Sequence, residues 1–381
     1  MLRFEMRGFS GYAVQYSPFL DSRLAVATGT NYGLIGNGKL WILDISPEGQ
    51  MVTRRDYLTQ DCLFDLAWSE LNENQCLVAQ GDGSLRLFDT TLDKYPVAVY
   101  QEHRDEVASC NWSLIGRNTF VSSGWDGLVK VWSVGRPNSV MTLKPRTRSN
   151  TAVLDRPNGT GTTNGKDCVY QAKFSPHDDS LMVCCSGDST VSLFDLRASQ
   201  PGQGPTHQFM AHSGSETLSV DFNKYRTNVI ATGGVDNKIK IWDLRMLRTG
   251  PLSIRGKWPE GPRGAKQVQC TNEIVGGHEL AVRKVNWSPH SSNYLLSTSY
   301  DMTCCIWQDM GYATDRTRGN NSGYGVTTGR TNASDLRNGL VSRFTAHTEF
   351  VFDGDWSLWG APGFVATTGW DGNVFVWKGT P

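Results

Sequence analysis

The chain has 381 residues, 37 basic against 37 acidic side chains, and a turn-rich composition with 40 Gly and 13 Trp. Balanced charge supplies no bulk field for holding nucleic acid or an anionic membrane surface. No run approaches the roughly 18 apolar residues of a membrane-spanning helix, so direct insertion is not expected.

In chain order, the first predicted element is a strand over residues 2–6. A repeating unit follows, marked first by an aromatic followed by Ser or Asn: Tyr16, Trp68, Trp112, Phe174, Phe222, Trp287 and Trp356. The second mark is an Asp in a tight turn with an aromatic six residues on, at Asp82/Phe88, Asp126/Trp132, Asp188/Phe194, Asp236/Trp242, Asp301/Trp307 and Asp371/Trp377. The β-branched or apolar stretch inside each pair alternates as a strand does. The first unit keeps that strand, at 39–42, without the Asp. Seven copies of one strand–turn–strand unit predict an all-β, seven-bladed β-propeller occupying 1–381 as one domain.

Each unit supplies three strands, and the connecting segments offer an outer fourth at 51–57, 97–100, 140–143, 207–210, 268–274 and 340–344. One outer strand is then missing. Residues 2–6 are expected to supply it by pairing onto the last blade, which would seal the ring and remove its exposed edges.

Four units carry a further pattern: His103, Ser122, Asp126, Trp132; His212, Thr232, Asp236, Trp242; His278, Ser297, Asp301, Trp307; and His347, Thr367, Asp371, Trp377. A Ser, a His and an Asp together suggest hydrolase chemistry, but an active site is needed once and this set recurs. The physical role expected is satisfaction of a buried Asp by hydrogen bonds. No phosphate loop, metal-ligand spacing or isolated catalytic dyad is found, so no catalytic residue, metal or cofactor is assigned. The nine cysteines are scattered, two pairs of them adjacent in sequence, Cys184 with Cys185 and Cys304 with Cys305. Neighbouring strand residues face opposite ways, so buried thiols of a reducing compartment are expected. The opening Met1-Leu2-Arg3-Phe4-Glu5 does not read as a secretory signal, and a cytosolic location is expected.

Insertions rich in Gly, Asn, Thr and Arg interrupt the repeat at 144–166, which holds Arg146, Arg148 and Arg156, and at 246–266 and 309–338. Flexible surface loops are expected there, the first on the propeller end that carries the Asp turns and the other two on the opposite end.

Function in a propeller usually sits where loops converge on the channel ends. At the entrance of the inner strands, six or seven residues before the marker aromatic, stand Asp61, Asp105, Glu106, Asp167, Glu216 and Glu349, with Glu279 nearby. The turn before the repeat Asp faces the same end and holds Trp125, Tyr300 and Trp370. One reading is a solvated polar rim; the other is a groove for a basic amphipathic peptide, held by carboxylates and aromatic anchors.

The repeat with its His, Asp, Ser/Thr and Trp resembles the WD-repeat family, which implies a hydrogen-bond chain through those four residues. The intervening stretches resemble one branch of it. They are Gly11-Tyr12-Ala13-Val14-Gln15-Tyr16-Ser17-Pro18, Tyr32-Gly33 before Ile42-Leu43-Asp44, Leu63-Phe64-Asp65, Trp68-Ser69-Glu70, Val282-Arg283-Lys284-Val285, Ser299-Tyr300-Asp301 and His347-Thr348-Glu349-Phe350. From Gly11 onward the chain resembles the peroxin 7 family, receptors for the type-2 peroxisomal targeting signal. The resemblance implies cargo proteins with an N-terminal Arg-Leu, five variable residues, then His/Gln-Leu. It also implies a co-receptor over the bound segment, indirect contact with docking machinery of the peroxisomal membrane, and shuttling between cytosol and peroxisome matrix. On this reading Asp61, Asp105, Glu106, Glu216, Glu279 and Glu349 take the cargo's basic groups, and Trp125, Tyr300, Phe350 and Trp370 its leucines. The rival is a substrate receptor of a cullin–RING ubiquitin ligase, suggested by Trp242-Asp243-Leu244-Arg245 and Phe194-Asp195-Leu196-Arg197.

Overall fold

The computed structural model describes residues 1–145, 168–198, 204–249, 266–311 and 339–380. The bulk of the three insertions, together with Asp167, lies outside the described residues. Seven antiparallel sheets, each with four strands of the repeat, form the blades. In the first six the strands follow chain order outward from the channel. The seventh is closed by the chain's own start: Leu2–Glu5 pairs antiparallel with Asn373–Lys378, Leu2 facing Val376 and Glu5 facing Asn373. Met6, at the end of that strand, is buried against Val14, Leu24, Val374 and Val376.

The outer strands of the first six blades are Met51–Thr59, Ala98–Gln101, Met141–Leu143, His207–Met210, Asn272–Ile274 and Leu340–Phe344. The fifth is shorter than the expected 268–274. Val268 and Cys270 turn inward onto the apolar cluster between blades four and five, and Lys266–Gln267 adds a fifth strand to blade four, parallel to its outer one. The start of the 246–266 insertion is also more ordered than a surface loop. Met246–Thr249 is one helical turn that buries Leu247 in that same cluster.

The core is spread around the ring, with one apolar cluster between each pair of neighbouring blades. Each inner strand faces the channel with one edge unpaired. Polar side chains of the preceding blade cover it: Asp353 accepts the Val14 N–H at 3.1 Å, Asp355 that of Tyr16 at 2.9 Å, Asp65 that of Cys110 at 3.0 Å and Asp221 that of Trp287 at 2.8 Å. Gln15, Asn111, Gln171 and Ser219 do the same for the next blade. Lys284 stands 3.3 Å from Asp353 and Lys173 2.9 Å from Asp221, which offsets the buried charge.

The four-residue sets form the expected chains in blades three, five and six. In blade three the Trp132 indole donates to the Ser122 hydroxyl at 2.9 Å, that hydroxyl lies 2.8 Å from His103 Nε2, and His103 Nδ1 lies 3.0 Å from Asp126. The corresponding bonds in the sets of His212 and His278 are 2.7–2.9 Å. A Cβ at Gly124 or Gly234 would come within 2.8 or 2.6 Å of the His ring, so glycine is required beside it. Blade seven departs from the pattern. His347 bonds Asp371 and Thr367, but the Trp377 indole N–H has no partner among the described residues. Its ring instead lies flat on Phe344, with centroids 4.6 Å apart.

Removing residues 1–8 leaves the last blade with an open edge and an unfilled Met6 site. The variant is expected to lose at least about 2–5 kcal/mol, the range for one buried Met-sized side chain; an unchanged melting temperature would contradict the closure. A second expectation concerns acid. Burial opposes ionisation of Asp301, yet its bonds from His278, Thr303 and the Glu279 N–H hold the carboxyl at about 2. A carboxyl depressed in the folded state contributes fully above its ordinary pKa of 3.8 and loses that contribution as pH falls toward about 2. Asp301→Asn should cost about 1–3 kcal/mol near neutrality, and urea melts from pH 5 to 2 should show a flatter acid limb than wild type.

Candidate functional site: the channel mouth

Three registers of the repeat meet at the channel end that carries the Asp turns. The first is the inner-strand entrance, six residues before the marker aromatic. The second is the turn before the repeat Asp, which is tied to that entrance by a backbone bond. Trp125 N–H donates to the Glu106 carbonyl at 2.9 Å, Tyr300 to Ala281 at 3.1 Å and Trp370 to Phe350 at 2.9 Å. The chain cannot place these aromatics elsewhere while that bond is kept.

The third register is a β-bulge. In all seven inner strands the pairing skips the residue four before the marker: Tyr12, Phe64, Ala108, Tyr170, Leu218, Arg283 and Phe352. A bulge re-aims the side chain it leaves unpaired. Residues on its far side, such as Leu63, Val107, Val169 and Val282, return to the clusters between blades.

The mouth is divided in two. Blades six, seven, one and two contribute a continuous aromatic half. Tyr12 lies 5.4 Å from Phe64 and 4.9 Å from Phe352; Phe352 stacks on Trp370 at 5.0 Å; and Phe350 bridges Tyr300 at 4.9 Å and Trp370 at 5.3 Å. Tyr32, 5.0 Å from Trp370, extends it outward. Blades three to five contribute an acidic half in which Asp105, Glu106 and Glu216 are half-buried around Cys168 and Tyr170. Burial, and then the carboxylates of Glu216, Glu106 and Asp105, push the Cys168 thiol up to about 11. The Tyr170 hydroxyl donates to Glu216 at 3.0 Å, and burial together with that carboxylate raises its pKa.

Of the residues expected at the rim, Trp125, Tyr300, Phe350 and Trp370 stand in or against the aromatic half, Trp125 stacking on Phe64 at 6.2 Å. Asp61 belongs to that side too: its carboxylate accepts the N–H of Cys62, which packs with Tyr12 and Phe352. Glu279 and Glu349 are exposed, and among the described residues no hydrogen bond or ion pair of their carboxylates joins them to either half. The bulge residues Tyr12, Phe64, Tyr170, Arg283 and Phe352 were not anticipated. Their constant offset from the marker aromatic is the signal that would have found them. Among the described residues no group of three or more His, Cys, Asp or Glu is placed to hold a metal ion.

The WD domain, G-beta repeat family matches residues 94–133, 157–195, 203–243 and 268–308. Over its whole length the chain is 53% identical to the peroxisomal targeting signal 2 receptor of Saccharomyces cerevisiae, covering 100% of both. It is 44% identical to that of Komagataella phaffii, covering 99% of both. The human peroxisomal targeting signal 2 receptor is 43% identical over 138 residues, 36% of this chain and 42% of the human one. The ubiquitin-ligase reading finds no support in these relatives, and both arginines behind it turn back on their own strands, Arg197 onto Asp195 at 3.0 Å and Arg245 onto Asp243 at 2.9 Å. The chain belongs to the family of peroxisomal targeting signal 2 receptors.

Proposed function

We propose that this protein is a non-enzymatic import receptor whose divided channel mouth binds the helical type-2 targeting signal of cargo. It collects cargo in the cytosol and, with a co-receptor over the helix and docking machinery at the peroxisomal membrane, delivers it to the matrix. The observation that carries the reading is the separation of the mouth into an acidic and an aromatic half. In an Arg-Leu-x5-His/Gln-Leu segment the Arg and the His or Gln are seven residues apart, two helical turns, and the two leucines likewise. Each pair forms a stripe, and the stripes lie about 100° apart around the helix. A helix lying along the boundary of the mouth therefore turns its basic stripe to Asp105, Glu106 and Glu216 while its leucines meet Tyr300, Phe350 and Trp370, which pack over the buried Tyr12 and Phe352. Asp61, Glu279 and Glu349 add negative potential at longer range. The rigid blades supply the site preformed, so the ordering falls on the cargo segment.

Fluorescence anisotropy with a labelled signal peptide tests this, with co-receptor absent and added. The double variant Glu106→Lys, Glu216→Lys should lose at least tenfold in affinity at an unchanged melting temperature; undiminished binding would remove the mouth as the site. The same assay carries a pH expectation. A signal with His at its eighth position gains charge below the ordinary His pKa of about 6.5. Its affinity should rise as pH falls from 8 to 6, while the Gln form should change little.

A further inference from the structure

Three cations lie on the inner strands among the described residues, and two are paired: Lys173 with Asp221 at 2.9 Å and Lys284 with Asp353 at 3.3 Å. The third, Arg283, is half-buried at the mouth with its guanidinium 5.2 Å from the centre of the Phe352 ring, and no carboxylate of the described residues pairs with it. It is the one charged residue in the ring of seven bulge positions. Its described contact is the face of the Phe352 ring, and its five N–H donors, bonded to no carboxylate of the described residues, stay available to an acceptor that arrives with the ligand.

Its place says which. Blade six is where the acidic half ends, at Glu216 of blade five, and the aromatic half begins, at Tyr300. The other junction lies between blades two and three, where Phe64 stacks on Trp125 and Trp125 is bonded to Glu106. A helix lying along the boundary has one end at each junction. The last turn of a helix exposes unpaired carbonyls and carries partial negative charge, whereas its first turn carries partial positive charge.

We propose that Arg283 is a specificity-determining residue that fixes the direction of the bound signal: its guanidinium receives the carbonyl end of the helix, and the signal's leading Arg lies at the opposite junction beside Asp105 and Glu106. This rests on the mouth being the signal site. The pairing assigned to each end follows from the charges available there. The permanently charged Arg meets two carboxylates, and the His or Gln meets Glu216, which Tyr170 already shares.

The test uses the full-length protein and four labelled signal peptides, two carrying Asp or Lys directly after the final Leu and two carrying them directly before the first Arg. Wild type should bind the peptide ending in Asp at least threefold more tightly than the one ending in Lys. Arg283→Met should abolish that preference, and Arg283→Lys should keep part of it, which guards against loss of fold in the Met variant. Preferences at the leading end should not respond to either substitution. The same preference in wild type and Arg283→Met, or an Arg283-dependent preference at the leading end, would overturn the assignment. The control Glu106→Gln, Glu216→Gln separates the two ideas. If it loses binding while Arg283→Met changes nothing, only the direction is wrong; if it binds all peptides as wild type does, the mouth itself is not the site and the proposal falls with it.

Discussion

The inner strand of each blade has no neighbour on its channel side, and its free N–H groups must still find acceptors. Leaving a buried N–H unpaired costs about 1–3 kcal/mol, and the problem recurs at two positions per blade. The solution is lateral: side chains such as Asp65, Gln171 and Asp353 reach the backbone of the next blade. This requirement makes the channel polar, brings in the lysines that balance its aspartates, and binds neighbouring blades together by more than apolar packing. Where acceptor and lysine do not pair, desolvation shows. Asp355, half-buried and bonded to Tyr16 and Asn286, is pushed up to about 6, first by desolvation and then by the nearby Asp353 carboxylate.

The same strand also provides the mouth. Alternation along it sends the marker aromatic and the residue two before it into the packing against the preceding blade. Polar residues one and three before it, such as Asn111, Gln171 and Asp353, are sent toward the channel, while Ala13 and Ala67 pack against the following blade. The bulge then breaks that parity, so the next residue outward faces the mouth instead of the core. One device repeated seven times thus yields a ring of freely variable positions on a fixed frame. The aromatic half draws on these positions, whereas the bulges of blades three to five hold Ala108, Tyr170 and Leu218, and the acids of that half stand at the strand entrance.

The fold was legible because the repeat is redundant: Asp and aromatic recur at fixed spacing, and the outer strands follow from counting. The shortened strand in blade five was not, because Val268 and Cys270 alternate like strand residues while packing between blades. The strand-entrance acids were legible from their offset to the marker aromatic, and Trp125, Tyr300 and Trp370 from theirs to the repeat Asp. Tyr12, Phe64 and Phe352 were hidden by the bulge, since strict alternation assigns them to the core, where aromatics raise no question. Arg283 carried a second signal besides its offset from the marker, an arginine at a core-parity position. The failure of Trp377 to complete its chain depends on its stacking against Phe344, and no local pattern encodes that.

Pairing of Leu2–Glu5 with Asn373–Lys378 joins segments separated by almost the whole chain. During synthesis the first strand must wait, unpaired, until the last has left the ribosome, and contacts of such separation form slowly. The aromatic half draws Tyr12 from the earliest blade and Trp370 from the latest, so it too exists only once the ring has closed. Glu106 and Glu216 come from middle blades, whereas the Tyr12–Trp370 contact joins the first blade to the last. Completion of translation is therefore a precondition of the aromatic half: a chain that ends before the last blade carries the acids without it.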